Sequence, residues 1–279
     1  LPPGLGFGQA LSGSFVVSFA SFPDETTQMA DVVLPESMSF ERFEEALPDF
    51  GLAPLARLSS PLLLRPIYDT RSMPDVLIAL AQRLGFTESY PSGTYEDVLR
   101  ERWASLGSWD ELIARGFFAG EREPVKRPVE YRFATEPIER AIAGASAASE
   151  PGLTLHLYPS TAFGDGRGAR LPYLQDLADP VTGIRWGSVV EMADADARKI
   201  GIQNGDRVEL RAGERSVEAP AFVSQGVVPG VVALAIGQGH TANGRHADGR
   251  GINAYSLLEA AADEDGFLLT TGKVEVRKL

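Results

Sequence analysis

Apolar residues fall along this chain in two different rhythms, and the change between them divides the sequence. Residues 14–19 read SFVVSF, a short β-branched and aromatic run that predicts a buried strand. Ser21 with Asp24 predicts the cap of a short helix reaching about Ala30, and Asp31-Val-Val-Leu-Pro35 predicts a second strand ended by proline. Strand, helix and strand in so short a stretch imply a tight parallel α/β unit. Residues 72–85 predict a helix, with Ser72 as its cap, Pro74 at the favoured first position and Asp75 facing the positive end of the dipole. Gly85 stops it, and Val76, Leu77, Leu80 and Leu84 form its expected buried face. Thr94 with Asp97 opens a second helix through Leu106, and Ser108 with Glu111 opens a third that stops at Gly116.

Between Ala134 and Gly152 the chain reads ATEPIERAIAGASAASEPG, whose second part is small, polar and aperiodic, the composition of a linker. A boundary is therefore expected near residue 150, with residues 1–150 an α/β domain plus linker and residues 151–279 a second domain. In that second part Leu153–Leu157, Val189–Met192, Val208–Arg211, Val217–Val223, Val231–Ile236 and Val274–Arg277 are strand-like runs separated by turn residues. One helix interrupts them, with Asp194 and Asp196 in its first turn, Arg198 and Lys199 in its last, and Gly201 after it. Short strands with so little helix favour a closed or nearly closed β-barrel.

Composition narrows the chemistry. Of 279 residues, 44% are hydrophobic and 23% charged, the proportions of a globular protein with a core of its own. The chain has no cysteine, which excludes iron–sulfur clusters and thiolate metal ligands within these residues. A formal net charge of −12 repels phosphate backbones and argues against nucleic-acid binding. No apolar run approaches the roughly 20 residues that span a bilayer. Leu1 opens a Pro/Gly-rich stretch and not a signal peptide, so the chain is read as a piece of a longer one, any export signal lying outside it.

Most motifs have a plain reading. Gly4, Gly6 and Gly8 are spaced like a phosphate loop but precede a strand instead of following one. His156, His240 and His246 make no metal-ligand pattern, and neither a nucleophile elbow nor a Ser/His/Asp set is present. Glu44-Glu45 and Asp263-Glu264-Asp265 read as solvated faces. Two loops differ. The first runs from Tyr158-Pro-Ser-Thr161 into Gly164-Asp-Gly-Arg-Gly168 and Arg170; the second is Gly237-Gln-Gly-His240, Asn243-Gly-Arg245-His246 and Gly249-Arg250-Gly251-Ile-Asn253. Glycines permit close backbone approach while arginines, hydroxyls and amides supply directional donors, a combination suited to a ligand carrying phosphates and a hydrogen-bonding heterocycle.

These segments, in this order, resemble the dimethyl sulfoxide reductase superfamily of molybdopterin dinucleotide oxidoreductases. Leu171-Pro-Tyr-Leu-Gln-Asp176 is similar to that family's Pro-Trp-Leu-Gln-Glu segment. Val190-Glu-Met-Ala-Asp-Ala-Asp-Ala197 with Lys199-Ile-Gly-Ile-Gln-Asn-Gly-Asp206 resembles its V-E-I-x-P-x-D-A-x-x-L-G-I-x-x-G-D pattern. Val228-Pro-Gly230, Ala235-Ile-Gly-Gln-Gly-His240 and Gly251-Ile-Asn253 resemble its last ligand loop. Upstream, Ala30-Asp-Val-Val-Leu-Pro35 resembles the end of an α/β domain. Phe15–Phe22, Asp24-Glu-Thr26 and Tyr68-Asp-Thr-Arg-Ser72 look like the molybdopterin-type subunits of alternative complex III and periplasmic menaquinone reductase.

The resemblance implies a partial Rossmann-like parallel sheet followed by a double-psi β-barrel. It implies binding of molybdopterin guanine dinucleotide by Ser160, Thr161, Arg170, Gly239, His240 and Asn253, with no catalytic or metal-ligating residue in this stretch and any iron–sulfur cluster outside it. It further implies an oxidoreductase subunit, inactive as an isolated piece and placed in the periplasm. Iron–sulfur and quinone-binding membrane subunits would be its partners, with no membrane span of its own. Two other readings stay open: a cofactor-free structural subunit of a quinone-linked respiratory complex, and an unrelated β-barrel module for small polar ligands.

Overall fold

The structure is a computed structural model and describes residues 6–47, 55–63, 65–120, 135–136, 138–139, 152–258 and 271–279. Two compact units emerge. One comprises Val17–Ser21 and Asp31–Phe133; the other comprises Leu1–Val16, Phe22–Ala30 and Ala134–Leu279. The expected linker between residues 141 and 151 lies outside the described residues.

In the first unit, β1 (Val17–Ser18) and β2 (Val32–Val33) pair in parallel with Val17 opposite Val32, as the two apolar runs predict, but Phe15, Val17, Val32 and Val33 are exposed and not buried as expected. A separate antiparallel sheet follows the order β3 (Glu44–Ala46), β4 (Leu55–Ser59), β5 (Phe117–Ala119). Ala56 and Leu58 on β4 meet Leu99 and Trp103 of the helix Tyr95–Trp103 and Leu112 of the helix Trp109–Arg115, which together form this unit's core. Both helices start as their sequences predict. The Thr94 hydroxyl accepts from Asp97 N–H at 3.2 Å and the Ser108 hydroxyl from Glu111 N–H at 3.3 Å.

Three further sequence readings need correction. The helix Met73–Arg83 buries Ile78, whereas Leu77, Leu80 and Leu84 are exposed and Val76 is half-buried. Periodicity locates an apolar stripe but says nothing about what covers it. Ser72 occupies the cap position without capping, and its buried hydroxyl oxygen has no partner. The helix expected through Ala30 is a single 3-10 turn, Thr27–Met29, and its cap is Asp24, whose Oδ1 accepts from Thr27 N–H at 2.7 Å. Ser21 instead donates to the Glu36 carbonyl.

The second unit contains all six predicted strands: β6 (Leu153–Pro159), β7 (Val190–Ala193), β8 (Arg207–Ala212), β9 (Arg215–Ser224), β10 (Val231–Ile236) and β11 (Thr271–Lys278). They close into a barrel in the order β10-β6-β11-β8-β9-β7. Exchanging the first three strands for the last three reproduces the same pairings. The parallel pair β6–β10 maps onto β9–β7, and the antiparallel pair β6–β11 onto β9–β8. That internal two-fold pattern makes this a double-psi β-barrel. Alternate residues point inward, as a period of two requires: Leu155 and Leu157, Val190 and Met192, Val208 and Leu210, Val232 and Leu234 are all buried.

The helix Asp194–Ile200 stops at Gly201, whose φ of 76° places it in the left-handed region. Asp196 is buried and accepts from Gly230 N–H at 2.5 Å and from Lys199 Nζ at 2.9 Å, tying this helix to the turn that precedes β10. Lys199 first, and Gly230 with it, hold the Asp196 carboxyl below its usual range. No helix among the described residues is long and apolar enough to cross a membrane, and no cluster of three or more metal-ligating side chains occurs among them.

Candidate functional site

The site begins with the parallel pair β6 and β10. Tyr158 lies opposite Ala235 and Pro159 opposite Ile236, so the chain leaves both strands at the same end of the barrel. The first loop folds on itself at once. Gly164 N–H donates to the Ser160 carbonyl at 2.8 Å, and the Ser160 hydroxyl accepts from Ala162 and Phe163 N–H at 3.3 and 3.4 Å. The second loop folds likewise: Gly239 N–H donates to the Arg250 carbonyl at 2.7 Å and Gly249 N–H to the His240 carbonyl at 2.9 Å.

The two loops then touch. A Cβ built on Gly237 would lie 2.9 Å from the Cβ of Phe163, and one on Gly166 would lie 3.0 Å from His240 Nε2. Below them, the amides of Gln175 and Gln238 pair reciprocally, Gln238 Nε2 donating to Gln175 Oε1 at 2.9 Å and Gln175 Nε2 to Gln238 Oε1 at 3.3 Å. Gln175 also donates to the Ala169 carbonyl at 2.8 Å, and both glutamines are buried. Buried amides carry a large cost when unpaired, so this bridge fixes the spacing of the loops.

Within this rim the expected residues take different parts. Gly239 presses so closely on Asn253 that an added Cβ would stand 1.9 Å from the Asn253 nitrogen; the two are one contact. Asn253 is exposed and uses Oδ1 to accept from Tyr255 N–H, capping the 3-10 turn Ala254–Leu257; its NH2 end is not used by that bond. Ser160 is half-buried and Thr161 exposed at the mouth of the first loop. Arg170 is held more tightly than its sequence suggests. Its guanidinium stacks over Phe22 at 4.3 Å, Nη1 donates to the Arg167 carbonyl at 2.5 Å, and Nε is buried without a partner.

Sequence reading missed three participants. Glu25 carries its carboxylate into the second loop, where it accepts from Thr241 N–H at 2.8 Å, Ala242 N–H at 3.2 Å and His240 Nδ1 at 3.1 Å. A contact across 215 residues leaves no local signal. Trp186 has a φ of 58°, the one positive value at a non-glycine residue among those described, and its ring lies under Arg250 at 5.4 Å and near His246 at 6.2 Å. Gln175 was visible only as part of a motif.

Burial pushes the Glu25 carboxyl up, but backbone N–H groups, those of Thr241 and Ala242 among them, and His240 outweigh it and hold the group below its usual range. A depressed carboxyl stabilises the fold above its unfolded value and loses that contribution as pH falls through the folded value. Protection of the Thr241 and Ala242 amides from hydrogen exchange is therefore expected to persist to below pH 4.5 and then to collapse. Exchange measured by NMR from pH 6 downward checks this; loss of protection above pH 4.5 would contradict it.

The donor set fits a molybdopterin dinucleotide. Guanidinium groups of Arg245 and Arg250 suit its phosphates, and the Asn253 amide and His240 imidazole suit the edges of its heterocycles. A cavity beneath the first loop, lined by Tyr158, Ser160, Gln175 and Trp186 among others, holds only about 50 Å³. Sites for ligands of that size need roughly 300–1,000 Å³.

Residues 178–263 match the family described as "Molydopterin dinucleotide binding domain". The chain is 29% identical over 281 residues to the menaquinone reductase, molybdopterin-binding-like subunit of Nitratidesulfovibrio vulgaris, a match covering 98% of this chain and 39% of that protein. It is 23% identical over 299 residues to dimethyl sulfoxide reductase DmsA of Escherichia coli, covering 91% of this chain and 36% of that one. Among solved structures, acetylene hydratase from Pelobacter acetylenicus shares the fold with a TM-score of 0.65 at 17% identity, covering 92% of this chain and 39% of that one. The chain thus spans less than two-fifths of the length of both these curated relatives. It is similar to the C-terminal part of proteins of the dimethyl sulfoxide reductase superfamily, and its residues 178–263 match their molybdopterin dinucleotide binding domain.

Proposed function

We propose that this chain forms the C-terminal part of a respiratory oxidoreductase subunit and that its two barrel loops grip molybdopterin guanine dinucleotide. Ser160, Thr161, Gly239, His240 and Asn253 form the grip. Arg170 acts from behind it, through its contact with Phe22. When bound, such a cofactor supplies two-electron redox chemistry at its metal; this chain places it and shapes its electrostatic surroundings. The observation that carries the reading is the meeting of the loops: Gly166 against His240 and Phe163 against Gly237 bring the two donor-bearing loops together at one end of the barrel. Further support comes from the names of two relatives, a menaquinone reductase subunit and a dimethyl sulfoxide reductase. These favour partners that carry iron–sulfur clusters and bind quinone in a membrane, and a periplasmic location.

The test is elemental analysis of the purified parent subunit together with fluorescence of its oxidised pterin. Stoichiometric pterin supports the reading. Pterin-free protein within an intact complex would replace it with the structural-subunit alternative. Asn253→Ala is expected to weaken cofactor retention about tenfold, equivalent to roughly 1.4 kcal/mol. Unchanged pterin content in that variant would remove Asn253 from the site.

A further inference from the structure

We propose that Glu25 is a positioning residue for this site: it anchors the second loop and fixes His240 with its proton on Nδ1, so that Nε2 is presented to the ligand as a hydrogen-bond acceptor. The inference rests on the cofactor reading above and deepens it, by naming the chemistry that His240 offers.

A carboxylate only accepts hydrogen bonds. Glu25 Oε1 already takes the N–H groups of Thr241 and Ala242, at 2.8 and 3.2 Å, and the same carboxylate lies 3.1 Å from His240 Nδ1. That nitrogen must therefore be the donor, and in a neutral imidazole the other nitrogen is then unprotonated. Nε2 faces the first loop, where Gly166 has a φ of 102° and where any Cβ would come within 3.0 Å of Nε2. A side chain at position 166 would cover Nε2, and the His240 side chain keeps 20% of its surface exposed to a ligand. The matching partner is an N–H donor, such as the amide or exocyclic amino edge of a pterin or guanine ring. Glu25 is itself held in place, since the neighbouring Asp24 caps the 3-10 turn Thr27–Met29 that follows.

Glutamine separates this role from simple loop support. In Glu25→Gln the oxygen at the Oε1 position still accepts from Thr241 and Ala242, while an NH2 group replaces Oε2, 3.2 Å from Nδ1, and so sets a donor against that nitrogen and disfavours a proton on it. The chain has three histidines, so selective 15N labelling with His240→Gln for assignment reads the tautomer directly, at a pH where the 15N shifts show a neutral ring. Expected results are Nδ1–H in the unaltered chain and Nε2–H in Glu25→Gln, with the Thr241 and Ala242 amides still protected from exchange. Glu25→Ala should lose that protection. The same tautomer in both proteins, or protected amides in Glu25→Ala, would overturn the positioning role. Pterin content of the parent subunit is the second readout and should fall severalfold in Glu25→Gln. Unchanged content would overturn the acceptor role of Nε2. Absence of pterin from the unaltered parent would instead overturn the functional reading and leave the tautomer result standing.

Discussion

Gly239→Ala is expected to destabilise the barrel unit by about 3 kcal/mol, through left-handed strain of about 1 kcal/mol and a steric clash worth the remainder. The φ of Gly239 is 82°, and the added Cβ would stand 1.9 Å from the Asn253 nitrogen and 2.2 Å from the Ile252 carbonyl carbon. Both obstacles are backbone, so no side chain can swing aside. Relief requires the 237–243 segment or the 252–254 segment to move, and either movement parts the two halves of the proposed grip. Gly244→Ala is the internal control. Its φ is 84°, yet nothing lies within 4 Å of the added atom, so it should cost only the backbone strain. Urea denaturation of both variants makes the comparison. Equal destabilisation would mean that the Gly239–Asn253 contact does not exist in solution.

The second large effect lies beneath the rim. Gln175→Leu or Gln238→Leu removes one partner of a buried amide pair and strands the other, at a cost of roughly 2 kcal/mol each. The double variant removes both side-chain amides together and should cost clearly less than the sum, because neither then strands the other; only the Ala169 carbonyl, which Gln175 also serves, loses its partner. A coupling of about 1 kcal/mol or more in the double-mutant cycle is expected from stability measurements. Simple additivity would show that the amides are solvated separately, and the loops would lose their common support.

Much of the architecture was legible before any coordinates. The six barrel strands stood out because each is a β-branched run closed by turn residues, as in Val231–Ile236 before Gly237. Helix starts were legible where a hydroxyl found an N–H, at Thr94 and Ser108, and failed at Ser72, whose hydroxyl stays buried without a partner. The apolar stripe of Met73–Arg83 was legible, but its burial was not: Leu77, Leu80 and Leu84 are exposed while Ile78 is covered. Strand order was beyond the sequence, since the parallel neighbour of β6 is β10, some 75 residues later.

The site divides along the same line. Gly239 and Asn253 were named from the family resemblance, and the structure brings the two into contact. Glu25 was not found, because a carboxylate among Asp24, Glu25 and Thr26 looks like any solvated acid until its partners, more than 200 residues away, are known. Arg170 was named as a ligand contact from the family resemblance. Its stacking on Phe22 is a tertiary contact that no local pattern encodes.

One observation supports the whole account: the loops after β6 and β10 share an end of the barrel and touch. Nuclear Overhauser contacts measure this directly in the labelled chain. The account predicts cross-peaks between the Phe163 β-protons and the Gly237 α-protons, and between Gly166 and the His240 ring. Their absence from spectra that show the β6–β10 contacts themselves would place the loops apart and contradict it.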